Sequence, residues 1–206
     1  MVRTIAALLL GVWLLSGCSG MITVENDVQA YSTLPAIPAR ASYRFDWLPS
    51  QQVDAPRQAR LEAIARQALA HVGMQVDDAH PAYSVQIDVN VQRLIAPPWG
   101  GAWPGWGFPG GYIVTPRGHV IWRNDFGRFG AFGGYNGFYD TPYYLRSIRL
   151  TLRDLATDQI VYETHASQDG PWGDTDAILP AMFEAALRDF PNPPQGPRRV
   201  DVQIPR

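Results

Sequence analysis

The stretch Ala82-Tyr-Ser-Val-Gln-Ile-Asp-Val-Asn-Val-Gln-Arg-Leu94 decides the fold. Tyr83, Val85, Ile87, Val89 and Val91 fall on one side of an extended chain, and Ser84, Gln86, Asp88, Asn90 and Gln92 on the other. Successive strand side chains point to opposite faces, so this alternation predicts a strand with one dry and one wet face. Sheets with one wet face are usually antiparallel. Leu145 to Leu155 repeats the pattern, with Ile148, Leu150 and Leu152 inward and Arg149, Thr151 and Arg153 outward. Ala156-Thr157-Asp158-Gln159 reads as a turn, and Ile160 to Ala166 returns as the second strand of a hairpin.

Upstream, Tyr43, Phe45 and Trp47 alternate with Ser42, Arg44 and Asp46, which predicts a strand over Ser42 to Trp47. Asp54 fits a helix N-cap and Pro56 the first turn, where a missing N–H is tolerated. Leu61, Ile64, Ala65, Ala68 and Val72 recur on one face at 3.6-residue spacing, and Gly73 stands where a left-handed C-cap belongs. The spacing predicts a helix over Pro56 to Val72. A last helix turns Met182, Phe183, Ala186, Leu187 and Phe190 inward. It is expected to begin near Pro180, with Asp174 to Leu179 as a capping turn, because proline is disfavoured in a helix interior. Two helices can cover the dry face of such a sheet. The expected fold class is therefore α+β: an antiparallel sheet of about four strands with two helices packed on one face, plus a long insert.

The first residues bear on compartment. Arg3 precedes an apolar run from Ile5 to Leu15, shorter than the roughly 20 residues a spanning helix needs and suited to a signal peptide. It ends in Leu15-Ser16-Gly17-Cys18, which resembles a bacterial lipobox. Cys18 is the only cysteine of the chain. Its thiol would take a diacylglyceryl group and its freed amine a further acyl chain, and two or more chains give stable anchoring. Ser19 follows where an Asp would resemble an inner-membrane retention signal, so the resemblance implies an outer-membrane location, facing the periplasm. The domain expectation is a signal peptide over 1–17, a tether over 18–41, an α+β domain over 42–191 and a proline-rich tail over 192–206. Asp27 to Tyr31 fits a short strand as well as tether. In the tail, Val200, Val202 and Ile204 alternate with Asp201 and Gln203, which fits a strand added to a sheet edge as well as a disordered end.

Taken in order, the lipobox, the Tyr43-x-x-x-Trp47 strand, the helix, the long alternating strand and a glycine-rich aromatic stretch form a series. The hairpin with Asp154, Thr157, Val161 and Tyr162 and the closing Phe190-Pro191 complete it. The series resembles the bacterial envelope lipoproteins that share a domain of unknown function, the 4136 type. The likeness covers Tyr43 to Pro191, with Tyr162 where the family commonly has Trp. It implies an envelope location and supports the fold, and it implies no reaction, ligand or catalytic residue.

Pro97 to Tyr144 holds 12 of the 19 glycines and 14 of the 24 aromatic residues. Loops of such length are usually functional or disordered. Tyr112-Ile-Val114 and His119-Val-Ile-Trp122 flank Thr115-Pro-Arg-Gly118, which fits a hairpin with proline at the second turn position. Two uses of the aromatics stand open. They pack over the sheet edge or form a low-complexity insert, or else Trp99, Trp103, Trp106, Tyr112, Trp122, Phe129 and Tyr135 make a contact surface. Aromatic rings supply large, flat contact area, and the candidate partners are an envelope protein, cell-wall glycan or lipid.

Composition and motifs exclude more than they assign. A formal charge of -2 argues against a broad nucleic-acid surface. One cysteine excludes a disulfide framework and a multi-thiolate zinc site. His71, Asp77, Asp78 and His80 have ligand chemistry, but their spacing matches no metal signature and fits a solvated helix end and turn. His119 and His165 fit surface strand positions better than a general base. No serine stands in a Gly-x-Ser-x-Gly elbow. Gly105-Trp-Gly-Phe-Pro-Gly110 lacks the strand and helix that a dinucleotide loop requires. Asp174 and Asp176 fit a helix cap and its dipole. No catalytic residue, metal ligand or cofactor is expected. The expected role is that of a non-enzymatic, lipid-anchored envelope protein.

Overall fold

The computed structural model describes residues 20–37, 41–94, 112–114, 120–122 and 143–205. In chain order the elements are β1 (Met21–Ser32), β2 (Ser42–Phe45), a short 3₁₀ turn (Gln51–Asp54), α1 (Ala55–His71) and β3 (Gln75–Val76). β4 (Tyr83–Leu94), β5 (Tyr112–Val114), β6 (Val120–Trp122), β7 (Tyr143–Asp154), β8 (Ile160–Gly170), α2 (Thr175–Ala186) and β9 (Arg198–Pro205) follow. Seven strands make one sheet in the order β3-β2-β4-β7-β8-β1-β9, and β5 and β6 pair separately.

The sheet differs from the expected four antiparallel strands. It has seven, and it is mixed, because β2 runs parallel to both β3 and β4. The helix α1 carries the chain from the end of β2 back to the start of β3, and such a return makes neighbours parallel. Two strands come from the segments that flank the expected domain. β1 lies within residues 18–41, so half of that span is paired sheet, well beyond the short Asp27 to Tyr31 strand that the sequence also fits. β9 comes from the tail and pairs with β1 from Met21↔Pro205 to Val28↔Arg198. The β1 pattern is hard to read because its inward series, Val24, Asn26, Val28 and Ala30, is interrupted by a polar residue. Asn26 is fully buried, and its amide donates to the carbonyls of Val24 and Val200 at 3.0 and 3.1 Å. Burial of a polar group is tolerated when such bonds replace water.

The central pair of strands, β4 and β7, matches its pattern closely. β4 and β7 pair from Tyr83↔Asp154 to Leu94↔Tyr143, which places Val85, Ile87 and Val89 opposite Leu152, Leu150 and Ile148. All six are buried beneath the helices. Full burial of such a side chain contributes about 1.5–3 kcal/mol, so this layer is a large part of what holds the fold. α1 has the expected Asp54 N-cap, which accepts from the Arg57 N–H at 3.1 Å, and Gly73 follows it at φ +87°. Leu61, Ala65, Ala68 and Leu69 are buried, whereas Ile64 and Val72 are only partly so.

α2 starts five residues earlier than expected and runs through Pro180. Ile178 and Leu179 are buried against the sheet, whereas Pro180 and Asp176 are exposed. Pro180 removes the N–H that would bond the Asp176 carbonyl, so the lost bond falls where water can replace it. Asp174 caps the helix by accepting from the Ala177 N–H at 3.1 Å. At the other end the Ala186 carbonyl accepts from Tyr162 Oη at 3.2 Å and Thr164 Oγ1 at 2.8 Å. Two β8 hydroxyls thus satisfy a carbonyl that the helix end would leave orphaned.

Candidate functional site

Both helices cover one face of the sheet. The other face presents the wet series of each central strand, in rows fixed by register. Asn90, Ser147, Ser167 and Asp27 stand side by side across β4, β7, β8 and β1. Asp88, Arg149, His165 and Gln29 form the next row, and on the other side Gln92, Leu145 and Asp169 form a shorter one. A cleft of about 240 Å³ opens at these last rows, lined by Asn90, Gln92, Leu145, Arg146, Ser147, Ser167, Gln168 and Asp169. It lies next to the paired ends Leu94 and Tyr143, between which residues 95–142 depart and return. Side-chain amides, hydroxyls and a carboxylate converge here, which suits hydrogen bonding to a polar ligand.

Arg146 underlies the cleft. Its place in the β7 alternation turns it to the helix side, and it is 1% exposed. Its Nη1 donates to Gln168 Oε1 at 3.0 Å, its Nε to Thr175 Oγ1 at 3.1 Å and its Nη2 to the Trp172 carbonyl. The guanidinium carbon stands 4.8 Å from the centre of the Tyr144 ring. Burial lowers the Arg146 pKa, and Tyr144 and Asp174 act against that shift. The arrangement joins the β8–α2 connection to the sheet. It is a structural cation with neutral acceptors rather than a group aimed at a substrate.

His165 lies on the exposed row. Burial, then the neighbouring Arg149 charge, hold its pKa below the usual histidine value, and Glu163 opposes them. Glu163 Oε1 stands 3.9 Å from Arg149 Nε as an ion pair, so the local cation is already paired. The His71, Asp77, Asp78 and His80 set does not converge. Asp77 Oδ1 accepts instead from the N–H groups of Ala79 and His80 at 3.0 and 2.9 Å, closing a turn. Among the described residues no group of three or more His, Cys, Asp or Glu is placed to hold a metal ion.

Of the aromatic candidates, Tyr112 and Trp122 pair across β5 and β6, as the hairpin spacing predicts. Trp99, Trp103, Trp106, Phe129 and Tyr135 lie outside the described residues, as do Cys18 and His119. The cleft lining comes from three strands, β4, β7 and β8, and most of it belongs to their wet series. No local signal distinguishes Asn90 or Ser147 from any other solvent-facing strand residue, and their adjacency depends on register.

The residues that carry the family likeness have structural tasks. Tyr43 is fully buried in the core, and burial pushes its phenol up to about 12. Trp47 Nε1 donates to Glu62 on α1. Asp154 Oδ1 accepts from the N–H groups of Ala156 and Thr157 at 2.8 and 2.9 Å, the first turn of the β7–β8 connection. Those backbone bonds, that of Thr157 foremost, hold its carboxyl below the ordinary range. Tyr162 meets Phe190 edge-on at 4.9 Å.

A mixed sheet with helices on one face and a polar cleft at the root of a long insert defines an α+β domain of the sheet-and-helix-layer class. Over residues 25–192 the sequence matches the domain of unknown function DUF4136, and the chain belongs to that family. The match begins within β1 and stops before β9. Among curated proteins no sequence matches the chain. One similar solved structure is a PDZ domain protein from Parabacteroides distasonis ATCC 8503, 12% identical, covering 91% of this chain and 40% of that one, with a TM-score of 0.47. The chain therefore spans well under half the length of that protein. Another is a PelC dodecamer from Paraburkholderia phytofirmans, 12% identical, covering 79% of this chain and 94% of that one, with a TM-score of 0.40.

Proposed function

We propose that this chain is a non-enzymatic envelope protein, anchored through lipidated Cys18 in the outer membrane and facing the periplasm, that works by contact with another envelope component. The observation that carries the reading is the direction of the strands. β1 begins at Met21, three residues after Cys18, and its first residue pairs with Pro205 at one end of the sheet. β8 finishes at that same end, and Tyr144 pairs there with Gly170, one residue from the Leu94↔Tyr143 pair. Met21, which closely follows the proposed anchor, and both roots of the aromatic stretch thus share one end of the sheet. In this reading Trp99, Trp103, Trp106, Tyr112, Trp122, Phe129 and Tyr135 supply the contact surface. No helix among the described residues is long and apolar enough to cross a membrane.

The first test is Cys18→Ser. The substituted chain is expected to move from the membrane pellet to the soluble fraction, and unchanged retention would sink the anchoring claim. The second is a photo-crosslinking residue at Trp106 in intact cells, where a discrete protein adduct supports the contact reading. A second reading, glycan or lipid binding, draws on the cleft, where Asn90, Gln92 and Ser147 offer amide and hydroxyl groups beside the insert's roots. Cell-wall fragments should then change tryptophan fluorescence, and Asn90→Ala should weaken that response. No change in fluorescence and no co-sedimentation would remove this second reading.

A further inference from the structure

We infer that the sheet end carrying Met21, Trp172 and Pro205 is a lipid-contact surface, held in the headgroup region of a zwitterionic bilayer. The inference rests on the lipidation of Cys18 proposed above and adds how the domain sits on the membrane. Ser19 and Gly20 alone separate Cys18 from Met21. A trans chain advances at most about 3.6 Å per residue, so Met21 stays within about 11 Å of the Cys18 backbone. The short connection ends on a fixed element, because Met21 and Ile22 already pair with Pro205 and Ile204.

Register decides which side chains share that end. β8 runs antiparallel to β1 with Ser167 opposite Asp27, so the last residues of β8 and the connection beyond them rise beside the first residues of β1. Trp172 stands on that connection, 38% exposed, and Met21 is 53% exposed. The Trp172 carbonyl is bonded to Arg146, so its backbone is fixed to the sheet. An indole with an apolar body and one N–H favours the interface between headgroups and hydrocarbon. Exposed apolar side chains also occur elsewhere, at Tyr31, Ile37, Leu48 and Val53, and at Leu155 and Ile160, which flank the β7–β8 turn. That turn is at the opposite end of twelve-residue strands. At about 3.3 Å per residue it lies some 35–40 Å away, beyond the reach of so short a connection. Asp174 and Asp176 open α2 at the anchored end and Arg60 stands 3.9 Å from Asp176, so the described residues there form no basic cluster that would favour an anionic surface, and the end fits a zwitterionic one.

Cys18 is the sole cysteine, and lipidation would consume its thiol. A single added cysteine is then the one group that takes a thiol-directed bimane label. The full lipidated chain, isolated from envelope membranes, is reconstituted in phosphatidylcholine vesicles containing a headgroup-nitroxide lipid. Labels at Trp172→Cys and Pro171→Cys are compared with a label at Gln159→Cys in the β7–β8 turn. Quenching about threefold stronger at 171 and 172 than at 159 is expected for an interfacial site. Equal quenching, or stronger quenching at 159, on protein that floats with the vesicles overturns the lipid contact and leaves the anchor standing. A chain that stays in solution and takes the label at Cys18 overturns both. Pro171→Cys keeps the comparison readable where loss of the Trp172 side chain disturbs the fold.

Discussion

Arg146 puts a full positive charge beneath the cleft with Gln168, Thr175 and the Trp172 carbonyl as its acceptors. Arg146→Ala is expected to cost about 2–3 kcal/mol, since a hydrogen bond to a charged group is worth about 1.5–3 kcal/mol and relief of guanidinium desolvation offsets part of the loss. Urea unfolding measures it, and a change within about 0.5 kcal/mol would mean that the cation is not structural. His165 gives a pH signature of known sign. Its folded pKa lies below the unfolded value, so the unfolded chain binds the proton more readily. Its contribution is therefore present above the unfolded pKa of about 6.5 and is lost as the pH falls through the folded value. His165→Gln should flatten the fall in melting temperature just below that pH. An unchanged profile would assign the acid sensitivity to other groups.

Among the elements, β4 shows how an exposed edge is closed. Beyond Phe45 no strand among the described residues lies on the β2 side, and its carbonyls there meet other donors. The Asp46 N–H bonds Val85, Gln51 Nε2 bonds Ile87, and Arg57 Nη2 bonds Val89 at 2.9 Å. Unpaired edges invite strand addition by other chains, and side-chain plugs of this kind oppose it. Gln51→Ala with Arg57→Ala should lower stability by about 1–2 kcal/mol and raise light scattering during refolding. Lower stability without added scattering would show that the plugs hold the helix rather than guard the edge. The same element scale explains what was legible. α1, β4, β7 and the β7–β8 turn were readable because each buries one face against a neighbour and so writes its own period into the sequence. Pro180 misled because the cost of a proline depends on whether the orphaned carbonyl is buried, which only packing sets.

For the molecule as a whole, β9 closes the sheet from outside the residues 25–192 that define the family. It buries Val200 and Val202 and covers Val24, Val28 and Asn26. Ending the chain after Pro191 should therefore lose about 3–6 kcal/mol from the two valines, and more from the uncovered Asn26. Thermal denaturation would show a lowered or absent transition. A transition within a few degrees of the full chain would mean that β1 holds its place without β9. Because β1 begins three residues after the proposed anchor, the same truncation tests whether that end of the sheet is held without β9.

The alternating strands, the capped helix and the hairpin turn were determined by the sequence alone, because each depends on residues within a few positions of one another. Strand count and direction were decided by tertiary structure. β1 hides its period behind Asn26, whose amide finds its second acceptor at Val200, 174 residues away. β9 is a strand because β1 offers it an edge. Asn90, Ser147, Ser167 and Asp27 became neighbours only through pairings across four strands. Local chemistry sets the period of an element. Which elements lie side by side, and hence where a cleft falls, is set by burial summed over the whole chain.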